Sequence, residues 1–451
     1  MRLFGTSGIR GIVGEKLTPE FCEDVGRALG ATLLPGSKVC LTTDTRLSRE
    51  LVGGAVISGL RSAGIDIIHL GILPTPGLAF LTRELDCAAG LMITASHNPP
   101  EYNGIKVFNR DTIGYSIAQE DEIESILRQK QFRTGVSPGA LYRNEEAGSI
   151  YLDRLVSEFS RKSFNRNLRV VVDPGSGAAS GFALRLLSEV GLNVIALNDD
   201  PDGRFPGRPS EPTGETLKGT IAFLREKDAD LAVCFDGDAD RVVFCDREGF
   251  LGFTEMVAFI ARIAVEESGK KKVAATIEVG KLMDLALEDL GGEVVRGKVG
   301  DVYLAHLVRE SGAAIGVEDV GVYILPEMGW YPESMAAALM LLSHIESPEE
   351  IREFLVKFPR FSTGKAKVQC PGPLKDAVMS KIEANIYSLD PRSVNTLDGV
   401  RLDFDDSWML IRASGTEPVI RVMTESVTEF RARELLSKGV RLVEDAVKRV
   451  G

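Results

Sequence analysis

A serine on a stiff loop is the first group in this 451-residue sequence that could do chemistry. Ser96 follows the apolar residues 87–93, which are typical of a buried strand, so its hydroxyl is expected at a strand-to-loop corner. Two prolines and an Asn-Gly pair come next and predict a stiff loop that returns His97 and Lys106 to the neighbourhood of Ser96. A hydroxyl presented beside cations suits a serine that carries phosphate, and an ordinary polar connection is the alternative.

Three carboxylates at alternate positions follow another apolar strand pattern. Asp236, Asp238 and Asp240 would repel one another at close range unless a cation neutralised them, and hard oxygen ligands suit Mg²⁺. A solvated acidic loop is the alternative, but the end of the strand fixes the triplet in place. An EF-hand is excluded because its sixth position, counted from Asp236, is Arg241 rather than glycine, and its twelfth is Arg247 rather than glutamate.

A third segment combines arginines with hydroxyls and a glycine. Arg-Ala-Ser-Gly-Thr-Glu-Pro at residues 412–418 lies between two strand patterns, and Arg421 follows on the second. An arginine fork matches phosphate oxygens bidentately, so this segment is predicted to clamp a phosphate, with a charged hairpin turn as the alternative. The opening Phe-Gly-Thr-Ser-Gly-Ile-Arg-Gly at residues 4–11 could bind an oxyanion through backbone N–H groups.

Helix and strand patterns alternate along most of the chain and must position these segments. Such alternation indicates βαβ units and mixed or parallel sheets, hence an α/β fold class. Changes in the pattern predict three similar mixed α/β domains and a smaller C-terminal α+β domain, at residues 1–150, 151–252, 253–365 and 366–451. Residues 44–48 follow the first predicted strand. They lie either at the edge of the sheet where ligands of open α/β sheets bind, which we call the ligand edge, or simply at the N-cap of the next helix. Residues 198–212 are polar and rich in Pro and Gly, which predicts a long surface loop.

Composition narrows the class of protein. The formal charge of −12 argues against a nucleic-acid partner, so an anionic substrate would need a local cluster of Arg and Lys. No apolar run approaches the roughly 20 residues of a membrane span, and the first residues lack a signal-peptide core, so we expect a cytoplasmic protein. The six cysteines lie far apart without a C-x-x-C pair and are expected to be buried free thiols, and four histidines make a His-rich metal site improbable.

Four motifs together resemble those of the α-D-phosphohexomutase family, in order and spacing, over essentially the whole chain. They lie at residues 4–11, 94–99, 236–241 and 412–418. The resemblance implies four domains around a central cleft, an intramolecular phosphotransferase activity, Mg²⁺ as cofactor and a sugar 1,6-bisphosphate as activator and intermediate.

The resemblance also implies a role for each matching residue. Ser96 would be the phosphoserine and would hold Mg²⁺ together with Asp236, Asp238 and Asp240. The groups around the transferring phosphoryl group would be Arg10, His97, Lys106 and Arg241, with Lys106 assisting proton transfer. The groups that grip the non-reacting phosphate would be Arg412, Ser414, Gly415, Thr416 and Arg421.

The predicted sugar-binding segment departs from the family pattern. Where the family usually has Gly-Glu-x-Ser/Asn-Gly, residues 317–321 read Val-Glu-Asp-Val-Gly, which keeps Glu318 but loses a hydroxyl or amide at Val320. Pro-Glu-Ser at residues 332–334 stands where members often carry Arg-Asp-Gly. The opening motif looks most like that of an archaeal branch of the family that acts on glucosamine phosphate, so the resemblance implies this substrate first, followed by mannose and glucose phosphates and then a pentose phosphate. A non-catalytic sugar-phosphate binder is the rival, and a homo-oligomer is left open.

A second phosphoenzyme chemistry competes with the first. Phe-Asp-Gly-Asp at residues 235–238 also resembles the strand-end Asp-x-Asp of haloacid-dehalogenase phosphatases, in which the first aspartate is the nucleophile. That pattern continues with Thr or Val, whereas this chain has Asp240. A third carboxylate binds a cation but repels incoming phosphate, so we predict phosphate on Ser96 and none on Asp236.

Overall fold

The computed structural model describes residues 2–5, 8–415 and 417–451. Within those residues, four β-sheets follow one another along the chain. Three of them mix parallel and antiparallel pairing and carry helices between their strands, whereas the last is antiparallel throughout. The predicted α/β fold class, with a final α+β unit, is confirmed.

The first sheet carries the predicted serine loop. Its strands are β1 Phe4–Gly5, β2 Gly8–Ile12, β3 Lys38–Thr43, β4 Asp66–Ile72, β5 Ala89–Ile93, β6 Tyr102–Asn109 and β7 Leu141–Arg143. The helices of this region are α1 Pro19–Thr32, α2 Arg49–Ser62, α3 Thr75–Glu84, α4 Ile117–Gln129 and α5 Ala147–Glu158. The strand order β1-β2-β6-β5-β3-β4-β7 places β5 and β3 side by side and parallel, so their carboxyl ends meet at one edge.

The second sheet carries the predicted metal loop. Its strands are β8 Arg169–Asp173, β9 Asn193–Ala196, β10 Leu231–Phe235, β11 Val242–Asp246 and β12 Phe250–Leu251, and its helices are α6 Phe182–Glu189 and α7 Lys218–Glu226. The order is β12-β11-β10-β8-β9. Strands β10 and β11 form an antiparallel hairpin, and the three aspartates occupy its turn.

The third sheet has the order β14-β13-β15-β16. Its strands are β13 Lys272–Thr276, β14 Glu293–Gly297, β15 Ile315–Glu318 and β16 Val322–Ile324. The surrounding helices are α8 Phe253–Ser268, α9 Lys281–Glu288, α10 Asp301–Ser311, α11 Ser334–His344 and α12 Glu349–Leu355. The segment predicted to bind sugar hydroxyls lies at the turn between β15 and β16.

The fourth sheet is the antiparallel order β17-β21-β20-β19-β18. Its strands are β17 Ser362–Gln369, β18 Ser393–Asn395, β19 Val400–Asp403, β20 Ser407–Ala413 and β21 Val419–Ser426. Helices α13 Lys375–Glu383 and α14 Glu429–Val450 accompany it, with short 3-10 turns at Gly372–Leu374 and Ile386–Leu389. The predicted phosphate clamp is the turn between β20 and β21.

Local sequence explains the strongest elements. Strands β5 and β10 are continuous apolar runs and are buried along their whole length. Helix α1 begins where the Thr18 hydroxyl accepts a hydrogen bond from the Phe21 amide, with Pro19 in the first turn. Helix α4 opens on a reciprocal capping box between Ser116 and Gln119.

The hydrophobic core separates the last sheet from the other three. One buried cluster runs continuously from β5 through β10 to β15, so the first three sheets pack as neighbours. The fourth sheet packs on α14 around its own cluster. It meets the third sheet through a small apolar contact, where the buried Arg401 donates to the carbonyl oxygens of Ile277 and Val279 at 2.6 and 2.8 Å.

The long loop predicted at residues 198–212 is present, but it is only partly exposed. The segment contains no helix or strand, but Phe205, Arg208 and Ser210 within it are buried. Arg208 is drawn inward because its guanidinium pairs with Asp173 at 3.0 Å and donates to the carbonyl oxygen of Phe235 at 2.7 Å. The segment therefore lies against the edge of the second sheet.

Two further observations concern the cysteines and the helices of the chain. Each of the six cysteines is buried and free of disulfide, as predicted. Among the helices of the described residues, none combines the length and the apolar character needed to cross a membrane.

Candidate active site

Ser96 lies at the corner that the sequence predicts, three residues beyond the end of β5. It is fully buried and adopts a left-handed backbone conformation with φ of 49°, which is uncommon for a residue with a side chain. Its amide donates to the Thr94 hydroxyl at 2.8 Å, and its own hydroxyl donates to the Asp236 carboxylate at 2.6 Å. The serine loop and the metal loop therefore touch through the reactive hydroxyl itself.

One buried guanidinium holds the serine loop in shape. The Nε of Arg46 ion-pairs with Asp44 at 3.0 Å. Its two terminal nitrogens donate at 2.5–2.9 Å to four loop carbonyl oxygens, those of Ser96, Asn98, Pro99 and Tyr102. Burial raises the pKa of Asp44 to about 6, against the charge of Arg46. Of the two interpretations of residues 44–48, a role at the ligand edge fits this geometry better than a simple helix N-cap.

The three aspartates converge as predicted. Carboxylate oxygens of Asp236, Asp238 and Asp240 lie within 4.8 Å of one another, and all three residues are buried. One oxygen of Asp238 and one of Asp240 are buried without a hydrogen-bond partner among the described residues. Buried carboxylate oxygens left without donors are what a hard divalent cation requires, so the donor set fits Mg²⁺.

The pKa values of Asp236 and Asp238 shift in opposite directions. Burial, reinforced by Asp240 and Asp238, raises the pKa of Asp236 well above its usual range. Burial acts in the same direction on Asp238, but the ammonium of Lys106 outweighs it and holds the pKa of Asp238 below its usual range. Thr75 also supports the ionised form of Asp238, because its hydroxyl donates to that carboxylate at 2.6 Å.

Lys106 reaches the site from a strand and not through the turn that the sequence predicts. Asn103 and Gly104 do not form a turn: they belong to β6, and Lys106 follows them on the same strand. Its ammonium lies 2.6 Å from both Asp238 and Asp240. Burial lowers the pKa of Lys106, but these two carboxylates outweigh it and raise the pKa above its usual range. Lys106 is therefore a fixed positive charge at the metal loop.

The other groups predicted near the phosphoryl position also meet here. Arg10, on β2, donates to the side-chain oxygen of Asn98 at 3.1 Å. The Arg241 amide donates to Asp236 at 3.2 Å, and its guanidinium lies 3.8 Å from the carboxylate of the preceding residue. His97 Nδ1 is 3.4 Å from the Ser96 hydroxyl, and burial together with the two arginines lowers the pKa of His97 to about 2. Its ring is therefore neutral in this arrangement.

The third sheet region contributes two acidic residues to the site, Glu318 and Asp301. Glu318 accepts a hydrogen bond from the Gly300 amide at 2.9 Å, and burial raises its pKa to about 7. Asp301 begins α10 and has one carboxylate oxygen without a hydrogen-bond partner among the described residues. Burial raises the pKa of Asp301 despite the nearby charge of Lys106. Val320 packs at the margin of the apolar cluster around Leu304 and offers no polar side-chain atom.

The predicted phosphate clamp is partly occupied by carboxylates of the protein. Arg412 donates to Asp398 at 2.9 Å and lies 3.3 Å from Glu278 of the third sheet region. Arg421 donates to Glu417 at 2.7 Å. The Ser414 hydroxyl accepts from the Glu417 amide, and Gly415 is exposed with no atom within 4 Å of where a Cβ would stand. Thr416, the remaining predicted clamp residue, lies outside the described residues.

Sequence reasoning included Arg46 in a possible ligand edge at residues 44–48 but gave it no role, and it missed Thr75 and Asp301. Thr75 follows the end of β4 and Asp301 follows the end of β14, so a search of every strand end would have identified both. The serine loop, the metal loop, the predicted sugar-binding segment and the predicted phosphate clamp lie at strand ends of four successive sheets. The serine loop and the metal loop are joined by a direct hydrogen bond.

Comparison with protein families gives matches along nearly the whole chain. Models of the phosphoglucomutase/phosphomannomutase α/β/α domains I, II and III match residues 1–134, 149–249 and 254–360, and the model of the C-terminal domain of that group matches residues 366–440.

Individual relatives agree with those models. A protein of Methanopyrus kandleri named "Probable phosphoglucosamine mutase" is 41% identical over 100% of this chain and 99% of its own length. A "Phosphoglucomutase/phosphomannomutase" of Thermococcus kodakarensis is 36% identical over 99% of each chain. Among solved structures, a phosphoglucomutase/phosphomannomutase family protein of Burkholderia thailandensis aligns with a TM-score of 0.87 and 25% identity, covering 98% of this chain and 97% of the other.

Proposed function

Because this chain belongs to the phosphoglucomutase/phosphomannomutase family, we propose that it moves a phosphoryl group between O6 and O1 of a sugar phosphate, converting glucosamine 6-phosphate to glucosamine 1-phosphate. The observation that carries this proposal is the 2.6 Å hydrogen bond from the Ser96 hydroxyl to Asp236 of the tri-aspartate loop. It sets a covalent carrier beside a cation site, which phosphoryl transfer needs. The name of the Methanopyrus kandleri relative supports the amino sugar as substrate.

The reaction begins from a phosphorylated Ser96. The bond between the serine oxygen and phosphorus breaks as a sugar hydroxyl oxygen bonds to phosphorus, which gives a sugar 1,6-bisphosphate. The bisphosphate then turns over in the site, and its other phosphoryl group returns to the serine oxygen. One proton leaves the attacking sugar hydroxyl and one is gained by the serine oxygen. We assign assistance in this proton transfer to Lys106, whose ammonium would give a proton to the serine oxygen and regain the one that the sugar loses.

Charge neutralisation is the main task of the surrounding residues. Arg10 and Arg241 would approach the transferring phosphoryl group, and the neutral His97 would accept or donate a hydrogen bond beside it. The three aspartates and a phosphoserine oxygen would hold Mg²⁺. When bound, Mg²⁺ withdraws negative charge from the phosphoryl oxygens.

The fourth sheet would hold the phosphate that does not react. Arg412, Ser414, Gly415, Thr416 and Arg421 are the proposed contacts. Glu318 would bind sugar hydroxyls. Val320 lacks the polar group of the family pattern, so the segment around Glu318 would make one polar contact fewer with the sugar. A sugar 1,6-bisphosphate would restore the phosphoserine after loss of the intermediate, and we assign the reaction to the cytoplasm.

Mapping the phosphate on the purified protein tests the mechanism first. A phosphoserine ester survives neutral hydroxylamine, whereas an aspartyl phosphate is a mixed anhydride that hydroxylamine cleaves. Intact mass and peptide mapping before and after hydroxylamine should therefore give a stable phosphate on the Ser96 peptide. A hydroxylamine-sensitive phosphate on the Asp236 peptide would overturn the proposed carrier.

The sugar is tested by coupled assays with glucosamine, glucose, mannose and ribose phosphates, each with Mg²⁺ and the matching bisphosphate. The highest kcat/KM is expected with glucosamine phosphate. The Thermococcus kodakarensis relative motivates the second candidate, a phosphoglucomutase/phosphomannomutase, and a preference for glucose or mannose phosphate would favour it. Absence of turnover of any of the four by phosphorylated protein would favour a non-catalytic binder.

A further inference from the structure

The backbone of the metal loop is held by partners from three different sheets. The Gly237 carbonyl oxygen accepts from the Ala178 amide of the second sheet region at 2.9 Å, and the Asp238 carbonyl oxygen accepts from the Thr75 amide of the first at 2.9 Å. The Ala239 carbonyl oxygen accepts from the Ser334 hydroxyl at 2.6 Å. Ser334 thus brings the third sheet region to the peptide between two of the proposed metal ligands.

Ser334 is itself held rigidly. It is fully buried at the first position of α11, and the preceding Glu333 caps that helix by accepting from the Met335 and Ala336 amides at 3.2 and 3.3 Å. The Glu333 carboxylate also accepts from the Tyr151 hydroxyl at 2.7 Å. Ser334, in the segment where the sequence departs from the family pattern, is therefore a buried and fixed contact of the metal loop.

The contact falls where the loop is most constrained. Ala239 lies between Asp238 and Asp240 and adopts a left-handed conformation with φ of 55°, and its carbonyl group belongs to the peptide that links it to Asp240. Rotation of this peptide would move both carboxylates relative to Asp236. A buried carbonyl oxygen that loses its donor tends to rotate towards another one, because an unpaired buried polar group is costly.

We propose that Ser334 is a positioning residue for the metal loop, whose hydroxyl fixes the Ala239 carbonyl and so sets the spacing of Asp238 and Asp240 for Mg²⁺. This inference rests on the proposed function, which assigns the metal to the three aspartates. Mg²⁺ demands near-ideal octahedral ligands at short distance, whereas Ca²⁺ tolerates irregular geometry. Loss of the hydroxyl should therefore weaken Mg²⁺ binding more than Ca²⁺ binding.

The test compares Ser334→Ala with Ser343→Ala by calorimetric titration of each full-length protein with Mg²⁺ and separately with Ca²⁺. Ser343 lies on the same helix and donates only within it, to the Met340 carbonyl oxygen at 3.0 Å. For Ser334→Ala we expect Mg²⁺ affinity to fall about 10-fold or more, the usual cost of losing a group that orients metal ligands, with a smaller loss for Ca²⁺. The KM for the sugar phosphate should stay within about twofold, because Ser334 contacts no proposed sugar or phosphate ligand.

Each other outcome has a definite meaning. An unchanged Mg²⁺ affinity in Ser334→Ala would overturn the inference, as would equal losses for Mg²⁺ and Ca²⁺ with a lowered melting temperature, which would indicate general destabilisation. If Asp238→Asn weakens Mg²⁺ binding while Ser334→Ala does not, only the role of Ser334 fails. If the unaltered protein binds no Mg²⁺, the proposed metal site itself fails.

Discussion

Two regions of this molecule face the same proposed substrate but differ in construction. The first, which we call the transfer centre, comprises Ser96, Lys106, Asp236, Asp238 and Asp240. The second, which we call the clamp, comprises Arg412, Ser414, Gly415 and Arg421. The side chains of the transfer centre are at most 11% exposed where they form ion pairs. In the clamp, the Arg412 side chain is similarly buried at 12%, whereas the Arg421 side chain is 39% exposed.

The two regions also differ in the residues to which their side chains bond. Transfer-centre groups bond mainly to one another and are held by buried groups such as Arg46 and Thr75. The clamp arginines instead bond to carboxylates that an incoming phosphate would have to displace, those of Asp398, Glu278 and Glu417. A buried network keeps its geometry because breaking one contact leaves a buried charge unpaired, whereas an exposed pair such as Arg421 and Glu417 exchanges at little cost.

This contrast suits a reaction in which one phosphoryl position is fixed and the other end of the sugar changes. The proposed chemistry needs an oxygen held in line with phosphorus, which a buried and rigid transfer centre would favour. A clamp that must release one end of a bisphosphate and accept the other benefits from weak, replaceable partners. The predictions below test whether the two regions separate in this way.

The largest effect is expected from Ser96→Ala, which removes the proposed covalent carrier from the transfer centre. Mutase activity should fall by about 10³-fold or more, because neither the clamp nor the metal can replace the serine oxygen. Steady-state assays with the preferred sugar phosphate measure the loss, and Ser58→Ala, at an exposed contact on α2, should be unaffected. An active Ser96→Ala protein would contradict the assignment.

A smaller effect is expected from Asp238→Asn, which removes one charge from the metal loop without changing its size. Mg²⁺ binding should weaken together with kcat, because a neutral ligand attracts a divalent cation less. Mg²⁺ titration by calorimetry provides the measurement. The KM for sugar phosphate at saturating Mg²⁺ should change little if the clamp is independent, and an unchanged Mg²⁺ titration would refute the assigned metal cluster.

The sequence predicts the transfer centre better than its support. Ser96 and the three aspartates were identifiable because each follows a short, wholly apolar strand, and strand ends are where ligands of α/β sheets lie. Four hydrogen bonds of Arg46 to carbonyl oxygens of the serine loop, and the contact of Thr75 with Asp238, join residues far apart in sequence, so no local pattern reveals them. Only the position of those two residues at strand ends gave a signal.

One wrong prediction and one that was only partly correct have a common physical cause. The Asn-Gly pair at residues 103–104 was interpreted as a turn, and residues 198–212 as a surface loop, from the preferences of short polar and glycine-rich stretches. Tertiary contacts override those preferences: β6 pairs with both β2 and β5, and Arg208 finds a buried carboxylate in Asp173. The proposed domain limits and residue roles stay predictions.

Arg412→Lys probes the clamp alone. Lysine keeps the charge but loses the planar fork that binds phosphate oxygens bidentately. We expect the KM for sugar phosphate to rise about 10-fold, the cost of roughly one charge-assisted hydrogen bond, with Mg²⁺ affinity unchanged. A parallel loss of Mg²⁺ affinity would show that the two regions are coupled and would break the comparison.

The smallest effect, and the sharpest test of replaceable partners, is expected from Glu417→Gln. Hydrogen bonds from Lys367 and then Arg421 lower the pKa of Glu417, so its carboxylate stays charged throughout the neutral range and competes with phosphate for Arg421. Removing the charge should lower the KM for sugar phosphate by about two- to fivefold, in keeping with the small energy of an exposed ion pair. Because protonation of Glu417 begins only below the ordinary range of a glutamate, the ratio of the KM of Glu417→Gln to that of the unaltered protein should be constant between about pH 6 and 8.

The matched control is Glu434→Gln on α14. Glu434 is another partly exposed glutamate whose pKa is lowered by hydrogen bonds from Lys438 and Arg431, and its replacement should leave KM unchanged. A higher KM in Glu417→Gln would mean that the glutamate orients Arg421 for phosphate rather than competing with it, and the clamp would then be as preorganised as the transfer centre.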